Sequence, residues 1–344
     1  MRARLETVLQ RCWWRPAPDA LAWMLWPLSL LYRGLLALHR RRAVKPVAVP
    51  VPVLVVGNHV VGGAGKTPTV IAIVRALQAA GHHPGVISRG HGRKSDDTRA
   101  VDAAATAAAV GDEPLLISRR SGVPVWVGRR RAEAALALCA AHPEVNVLVA
   151  DDGLQHRALA RQAELVVFDE RGAGNGLLLP AGPLREALPS APSTMQRVLY
   201  TAGAASTRLP GVMATRRLSA AWPLAAWQRG DARLAVPLAQ LQGRRLLAAA
   251  GMAAPEKFFA MLCAAGLTVE RLPLPDHHPY TTLPWPADTT EVLVTEKDAV
   301  KLQPAAMGRT QVWVVPLDLQ LPAGLVDELS ALLFPPHQMP PATP

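Results

Sequence analysis

Residues 55–70 read VVGNHVVGGAGKTPTV and end in Gly-Lys-Thr, the ending of loops that hold nucleotide phosphates. The strict pattern asks for a glycine at position 60, where this chain has Val60. The physics of the turn survives that exchange, because Gly57, Gly62, Gly63 and Gly65 still let backbone N–H groups approach an anion. A helix beginning near Lys66 would add its N-terminal dipole. The phosphate cradle is therefore expected at Gly62, Gly63, Ala64, Gly65, Lys66 and Thr67, with Lys66 on the β- and γ-phosphates and Thr67 on Mg²⁺. A glycine-rich turn without a ligand is the simpler alternative, but it has no use for Gly-Lys-Thr behind an apolar strand.

Carboxylates and histidines supply the other chemistry. VNVLVADDGLQH, residues 145–156, puts Asp151 and Asp152 at the end of an apolar strand, where an acid can reach the metal shell beside Thr67. Their side chains should diverge, one holding metal and the other orienting a partner; spacing does not divide those roles, and a helix-capping turn is the plainer reading. GDEP, residues 111–114, places Asp112 and Glu113 at a helix start, where capping explains one carboxylate and Glu113 is a further metal candidate. PDHHPY, residues 275–280, carries two histidines in a proline-bounded turn, suited to a base, a ligand, a phosphate contact or a plain surface turn. In VTEKD, residues 294–298, Thr295 and Asp298 stand at capping-box spacing, which argues for a strand running into a capped helix rather than for catalysis.

These residues need a scaffold that gathers them. Short apolar strands alternate with helical patterns from residue 51 to about 200, which predicts an α/β fold: a phosphate-loop NTPase-like, mostly parallel sheet covered by helices. The Gly- and Pro-rich stretch 172–193 reads as a long ordered loop of the kind that is often functional. A second alternating pattern begins after residue 220. The expected organisation is an N-terminal segment at 1–45, a kinase core at 46–219, a smaller α/β domain at 220–334 and a disordered tail at 335–344.

Half of the 344 residues are hydrophobic and 18% are charged, which excludes a disordered chain and a polytopic membrane protein. The net charge is +11, and much of the excess sits in residues 1–45, where nine basic side chains face only Glu6 and Asp19. Between them LAWMLWPLSLLYRGLLAL, residues 21–38, is broken by Pro27 and Arg33 and followed by HRRR, which does not resemble a cleavage site. A spanning helix usually needs ~20 apolar residues. An amphipathic interfacial helix fits better, with Trp13, Trp14, Trp23, Trp26 and Tyr32 at headgroup level and arginines facing an anionic membrane surface; a helix packed on the core is the alternative. No nucleic-acid module accompanies the basic residues. Cys12, Cys139 and Cys263 are isolated, which predicts a reducing compartment and no zinc site.

Taken in order, VGNHVVGGAGKTP, ISRGHGR, VGDEPLL, VADDGLQH, GNGLLLPAGPLRE, PDHHPY and VTEKDAVKL span residues 56–302 and resemble the tetraacyldisaccharide 4'-kinases of lipid A biosynthesis. The loop with Val60 is similar to that family's own variant; His91 stands where the family more often has an aromatic residue. The resemblance implies ATP-dependent phosphorylation of the 4'-hydroxyl of a tetraacyldisaccharide 1-phosphate, giving lipid IV-A, on the cytoplasmic side of the inner membrane. It further implies that Asp112 and His277 form a catalytic pair, that Asp151, Asp152 and Gln155 make a second carboxylate motif, and that Arg185 and Glu186 belong to an active-site loop. An arginine of VGRRRAEA should also face the site, with Arg131 the best match. The expected mechanism has Lys66 and the loop amides holding ATP, Thr67, Asp151 and Glu113 organising Mg²⁺ near Asp152, and domain closure bringing His277 to Asp112. Two other classes use the same loop: a phosphate-loop switch or metallochaperone-type NTPase, and a membrane-bound nucleotide-binding scaffold without chemistry. The switch has no use for the oily N-terminus or the 172–193 loop.

Overall fold

The computed structural model describes residues 2–41, 45–93 and 95–335. The charge at Arg42 and, apart from Pro335, the expected tail lie outside the described residues. Two helices open the chain, α1 (Arg2–Trp13) and α2 (Ala20–Arg41). The sequence suggested one anchoring helix; Asp19 divides the segment by accepting a hydrogen bond from the Ala22 amide at 2.9 Å, so that it starts α2 as a cap. Pro27 lies inside α2 without ending it.

The larger sheet is built from β1 (Val53–Gly57), α3 (Lys66–Ala79), β2 (Pro84–Ser88), β3 (Arg99–Ala100), α4 (Ala107–Val110), α5 (Asp112–Ser121), β4 (Val125–Val127), α6 (Arg131–Ala141), β5 (Val147–Asp151), β6 (Ala163–Phe168), β7 (Gln196–Tyr200) and β8 (Val212–Met213). Its order is β3-β4-β2-β5-β1-β6-β7-β8, and only β3 runs antiparallel to its neighbour. The central strands are buried along their length, which is why VLVVG and VLVAD are apolar runs rather than alternating ones. β1 and β5 pair with Val56 opposite Asp151, so the turn after β1 and the acids ending β5 leave the sheet side by side. This is the carboxyl edge where open α/β sheets bind ligands.

The chain then passes through β9 (Thr215–Leu218), β10 (Ala220–Pro223), α7 (Leu224–Arg229), β11 (Val236–Pro237), β12 (Leu246–Ala250), α8 (Pro255–Ala264), β13 (Val269–Pro273), β14 (Glu291–Thr295), α9 (Glu296–Ala299), β15 (Gln311–Val315), β16 (Leu317–Gln320) and α10 (Leu325–Leu333). A six-stranded sheet has the order β11-β10-β15-β14-β12-β13. The antiparallel pair β9–β16 carries the chain into this sheet and out again. Although α10 follows the smaller sheet in sequence, it packs against α3, β1 and β6 of the larger one. One apolar cluster runs from Ile73 and Ile117 to Trp227, Val294 and Leu329, so the two sheets share buried surface.

A buried ion pair also crosses between them: Arg120 of α5 meets Glu296 of α9, and the Trp227 indole donates to the same carboxylate at 3.0 Å. Arg120 additionally reaches Asp318 of β16 at 2.6 Å. Removing one partner strands the other charge in a dry site, so Arg120→Ala should destabilise the protein by about 3 kcal/mol. The check is a lowered denaturant midpoint; an unchanged midpoint would mean that Glu296 is neutral or hydrated.

Candidate active site

Apolar β1 delivers its last residue, Gly57, to the start of the phosphate loop. A Cβ at Gly57 would come within 2.7 Å of Leu154 Cβ, so glycine here is what lets the 152–155 turn lie against β1. Gly65 has φ 82° and immediately precedes α3, whose first residues are Lys66 and Thr67. Val60 explains its own presence. It pairs with Leu184 in an antiparallel bridge and is buried beside Ala64 and Leu184, so the loop is docked on the 172–193 segment through this side chain. Ala64 is correspondingly buried in that cluster, whereas Gly62, Gly63, Gly65, Lys66 and Thr67 line a cleft of about 430 Å³ between the two sheets.

Lys66 Nζ is 3.3 Å from Asn58 Oδ1 and 3.5 Å from Asp152 Oδ1. Asp152 stands at φ 47°, a left-handed conformation that turns its carboxylate away from the line of β5 and toward Lys66 and Arg185. Arg185 Nη1 donates to both Asp152 oxygens, at 3.1 and 3.2 Å, and to Gln155 Oε1 at 3.2 Å. Burial opposes ionisation of Asp152, but Lys66 and Arg185 outweigh it and hold the carboxyl below the ordinary range. Asp151 has the opposite setting. It is buried, accepts one hydrogen bond from Ser88 Oγ at 3.0 Å, and its Oδ1 has no partner among the described residues. Burial, then the charges of Glu113 and Asp152, push its pKa up. The two acids therefore diverge in environment as well as direction.

Arg131 is the arginine of its run that faces inward: Arg129 pairs with Asp96 and Arg130 with Glu133, each at 2.8 Å on the surface, while Arg131 is buried close enough to Asp151 and Asp152 to feel both charges. Gln155 donates to the Asn58 carbonyl at 3.0 Å and to Glu186 Oε1 at 3.1 Å. Glu186 sits on the far side of that amide, in a separate pocket with His59, Arg40 and Arg157 rather than on the cleft wall. Burial alone would raise its carboxyl; the neighbouring His59 ring at 3.4 Å, the hydrogen bond from Gln155 and the charge of Arg40 bring it down to about 2.

Across the cleft, His277 Nδ1 lies 2.8 Å from Asp112 Oδ2 and 3.1 Å from Oδ1. The two residues are 165 positions apart and come from different sheets. Asp112 does not cap its helix: the N-cap is Gly111, and the aspartate is the first residue of α5, buried with its carboxylate on the histidine. His277 reaches it from a left-handed conformation, φ 57°. An ionised carboxylate only accepts, so Nδ1 carries the hydrogen and donates. The hydrogen bond that His277 donates to Asp112 raises the His277 pKa against burial; burial of Asp112 is in turn outweighed by His277 and Lys297, which keep its carboxyl low.

Lys297, which spacing placed in a capped helix, belongs to this cluster. Its Nζ lies 3.4 Å from His277 Nε2, 3.3 Å from Glu113 Oε1 and 3.0 Å from Asp276 Oδ1. The capping is also real, since Thr295 Oγ1 accepts from the Asp298 amide at 3.2 Å. Lys257 of α8 is a further contributor that no motif marked; it bridges to Asp169 at 2.7 Å and Glu170 at 2.8 Å. His91 lines the cleft with its ring 5.4 Å from that of His277.

A phosphate loop at the carboxyl edge of a parallel sheet, facing an acid–histidine pair completed from the second sheet, defines the chain as a phosphate-loop phosphotransferase. Comparison with known proteins narrows the class. The sequence profile of the tetraacyldisaccharide-1-P 4'-kinases matches residues 21–333. The tetraacyldisaccharide 4'-kinase of Leptothrix cholodnii is 53% identical over 96% of this chain and 97% of its own. That of Methylibium petroleiphilum is 52% identical over 97% and 95%. The crystal structure of LpxK from Aquifex aeolicus in complex with ATP superposes with a TM-score of 0.72 at 26% identity, covering 91% of this chain and 100% of the other. The chain belongs to the tetraacyldisaccharide 4'-kinase family and is a kinase of lipid A biosynthesis.

Proposed function

We propose that the chain transfers the γ-phosphoryl group of ATP to the 4'-hydroxyl of a tetraacyldisaccharide 1-phosphate, giving lipid IV-A, at the cytoplasmic face of the inner membrane. The observation that carries this reading is the Asp112–His277 pair, 2.8 Å apart, whose histidine lines the same cleft as the phosphate loop while the aspartate is buried behind it. A hydrolytic switch needs only an oriented water, whereas an acceptor alcohol needs a group to take its proton. Asp112, assisted by His277, takes that proton; Lys66 and the amides at 62–65 hold the nucleotide phosphates; Asp152 and Arg185 hold Lys66 in place. Arg131, Gln155, Arg185 and Glu186 shape the substrate side, Glu186 acting through Gln155 rather than on the cleft itself. Mass analysis of the lipid after incubation with ATP decides the matter: a phosphorylated product supports the kinase, ATP hydrolysis indifferent to lipid supports a switch, and neither supports a scaffold.

The residues fit Mg²⁺. Asp151 Oδ1 is a buried oxygen without a partner among the described residues, beside Glu113, and Thr67 opens onto the adjoining cleft. Among the described residues no group of three His, Cys, Asp or Glu could hold a metal ion by itself, so an ion here would be held by one or two carboxylates together with the nucleotide's own oxygens. An ion held there would supply positive charge against the transferring phosphoryl group. Asp151→Asn should raise the Mg²⁺ concentration for half-maximal activity at least about tenfold, read by metal titration; an unmoved titration would place the ion elsewhere.

The membrane assignment rests on α2. It is long and apolar enough to cross a bilayer, but one flank is fastened to the protein and the other leaves Met24 69%, Leu31 63% and Trp23 57% exposed. A helix bonded along one side and apolar on the other lies in the interface rather than through it. The expected aromatic belt is narrower than the sequence suggests: Trp13 donates to the Pro180 carbonyl at 2.8 Å, Trp14 lies under the Arg171 guanidinium at 4.1 Å, and Tyr32 is bonded inward. Trp23 and Trp26 remain for the membrane. Trp23→Asp with Leu31→Asp should abolish sedimentation with anionic liposomes; retained binding would sink the anchor.

A further inference from the structure

The flank of α2 that faces the protein holds the loop that carries Arg185 and Glu186. Ser29 Oγ donates to the Leu178 carbonyl at 2.9 Å and accepts from the Ala181 amide at 3.1 Å. One turn on, the Tyr32 hydroxyl donates to the Arg185 carbonyl at 2.9 Å. In the last turn of the helix, Arg40 binds the Glu186 carboxylate. Contacts along α2 thus fix the backbone of one active-site-loop residue and the side chain of the next.

From there the contacts continue without a gap. Glu186 Oε1 accepts from Gln155 at 3.1 Å, Gln155 Oε1 accepts from Arg185 at 3.2 Å, Arg185 binds Asp152 at 3.1 Å, and Asp152 stands 3.5 Å from Lys66 Nζ. Four of these five side chains carry full charge, so the contacts are charge-assisted and stronger than neutral ones. Glu186 has other basic side chains within reach, His59 at 3.4 Å and Arg157 at 3.7 Å. Neither belongs to α2. Arg33, about two turns before the helix end, has no role in the network and is exposed.

We propose that α2 positions the phosphate site as well as anchoring the chain: Tyr32 and Arg40 hold the Arg185–Glu186 pair, which through Gln155 and Asp152 sets the place of Lys66. Tyr32 and Arg40 are positioning residues, and the inference rests on the kinase reading only for its turnover arm. An apolar helix seated in lipid then stabilises the arrangement of a lysine on the opposite side of the loop.

The test uses full-length protein in detergent micelles, with ATP affinity by calorimetry and turnover on the tetraacyldisaccharide 1-phosphate. Arg40→Ala and Tyr32→Phe should each weaken ATP binding about threefold and lower kcat about tenfold, while Arg33→Ala changes neither. Arg40→Lys should restore most of the loss, and adding Arg40→Ala to Gln155→Ala should cost little more, because the chain of contacts is already cut. A thermal midpoint equal to that of the parent keeps the comparison free of unfolding. If Arg40→Ala and Tyr32→Phe alter only lipid KM or liposome binding, α2 is an anchor alone and the inference is overturned. Full additivity with Gln155→Ala overturns it too. Should the parent protein transfer no phosphate to lipid, the kinase reading fails by itself, and ATP affinity still decides the positioning role.

Discussion

Asp112→Asn should lower kcat for lipid phosphorylation by about 10³-fold while leaving ATP affinity within about twofold, the expected cost of losing a general base. Asparagine keeps the size of the side chain and its hydrogen bond to His277 but cannot take a proton. The carboxylate is available for that task because His277 and Lys297 hold its pKa low in spite of burial. His277→Ala should cost about 10²-fold, since Asp112 remains but is no longer oriented. If either variant turned over at the parental rate, the pair would not be the base.

The same pair dictates a pH profile. With His277 protonated, the pair already holds the proton it is meant to accept, so activity should rise as pH passes the His277 value, which Asp112 raises above 6.5. In Asp112→Asn that support is lost and the remaining activity should rise at lower pH. For stability, the His277 contribution is complete below its unfolded value near 6.5 and disappears as pH rises through the raised folded value. Asp112 behaves in the opposite sense: its contribution is present above 3.8 and is lost as pH falls through its depressed value. The tie between the two sheets is therefore strongest in mildly acidic solution, whereas turnover favours the more alkaline side.

The second large effect is expected at Lys66. Lys66→Ala should reduce kcat/KM about 10³-fold and, unlike Asp112→Asn, should weaken ATP binding as well, because the ammonium touches phosphate in ground and transition states alike. Arginine should not rescue it. The space is defined by Asn58 Oδ1 at 3.3 Å and Asp152 Oδ1 at 3.5 Å, which suit a compact ammonium rather than a planar fork. Calorimetric ATP binding and single-turnover rates check both parts; ATP affinity preserved in Lys66→Ala would mean that the cradle lies elsewhere.

Much of the larger sheet was legible because its strands are buried on both faces and read as unbroken apolar runs. Gly-Lys-Thr behind such a run located the phosphate loop, and Asp-Asp at the end of another located the acids. Other features left weaker traces. Lys297 sits in a segment whose Thr295 and Asp298 do form a cap, and nothing in local spacing separates a capping turn from one that also lends its lysine to a neighbour. The helix α10 was not singled out, and the smaller domain was drawn through residue 334. Its apolar face has the same pattern whichever sheet it covers, and it covers the larger one. Trp13 and Trp14 are as amphipathic as Trp23 and Trp26; only packing on the 172–193 loop and on Arg171 distinguishes those turned inward.

By itself the sequence determined the α/β class, the nucleotide loop, the acids at the strand ends and the oily, basic N-terminus, because each is written in residues adjacent along the chain. The tertiary structure decided what those parts do to one another. Asp112 and His277 are 165 residues apart, and no local rule predicts that one helix start and one left-handed turn will meet at 2.8 Å. Val60, which departs from the strict loop pattern, is explained only by Leu184 opposite it. Glu186 lies behind Gln155 rather than in the cleft, and α2 reaches it through Arg40. Periodicity and propensity act over a few residues, while charge and packing act over a few ångströms, and only the folded chain converts one distance into the other.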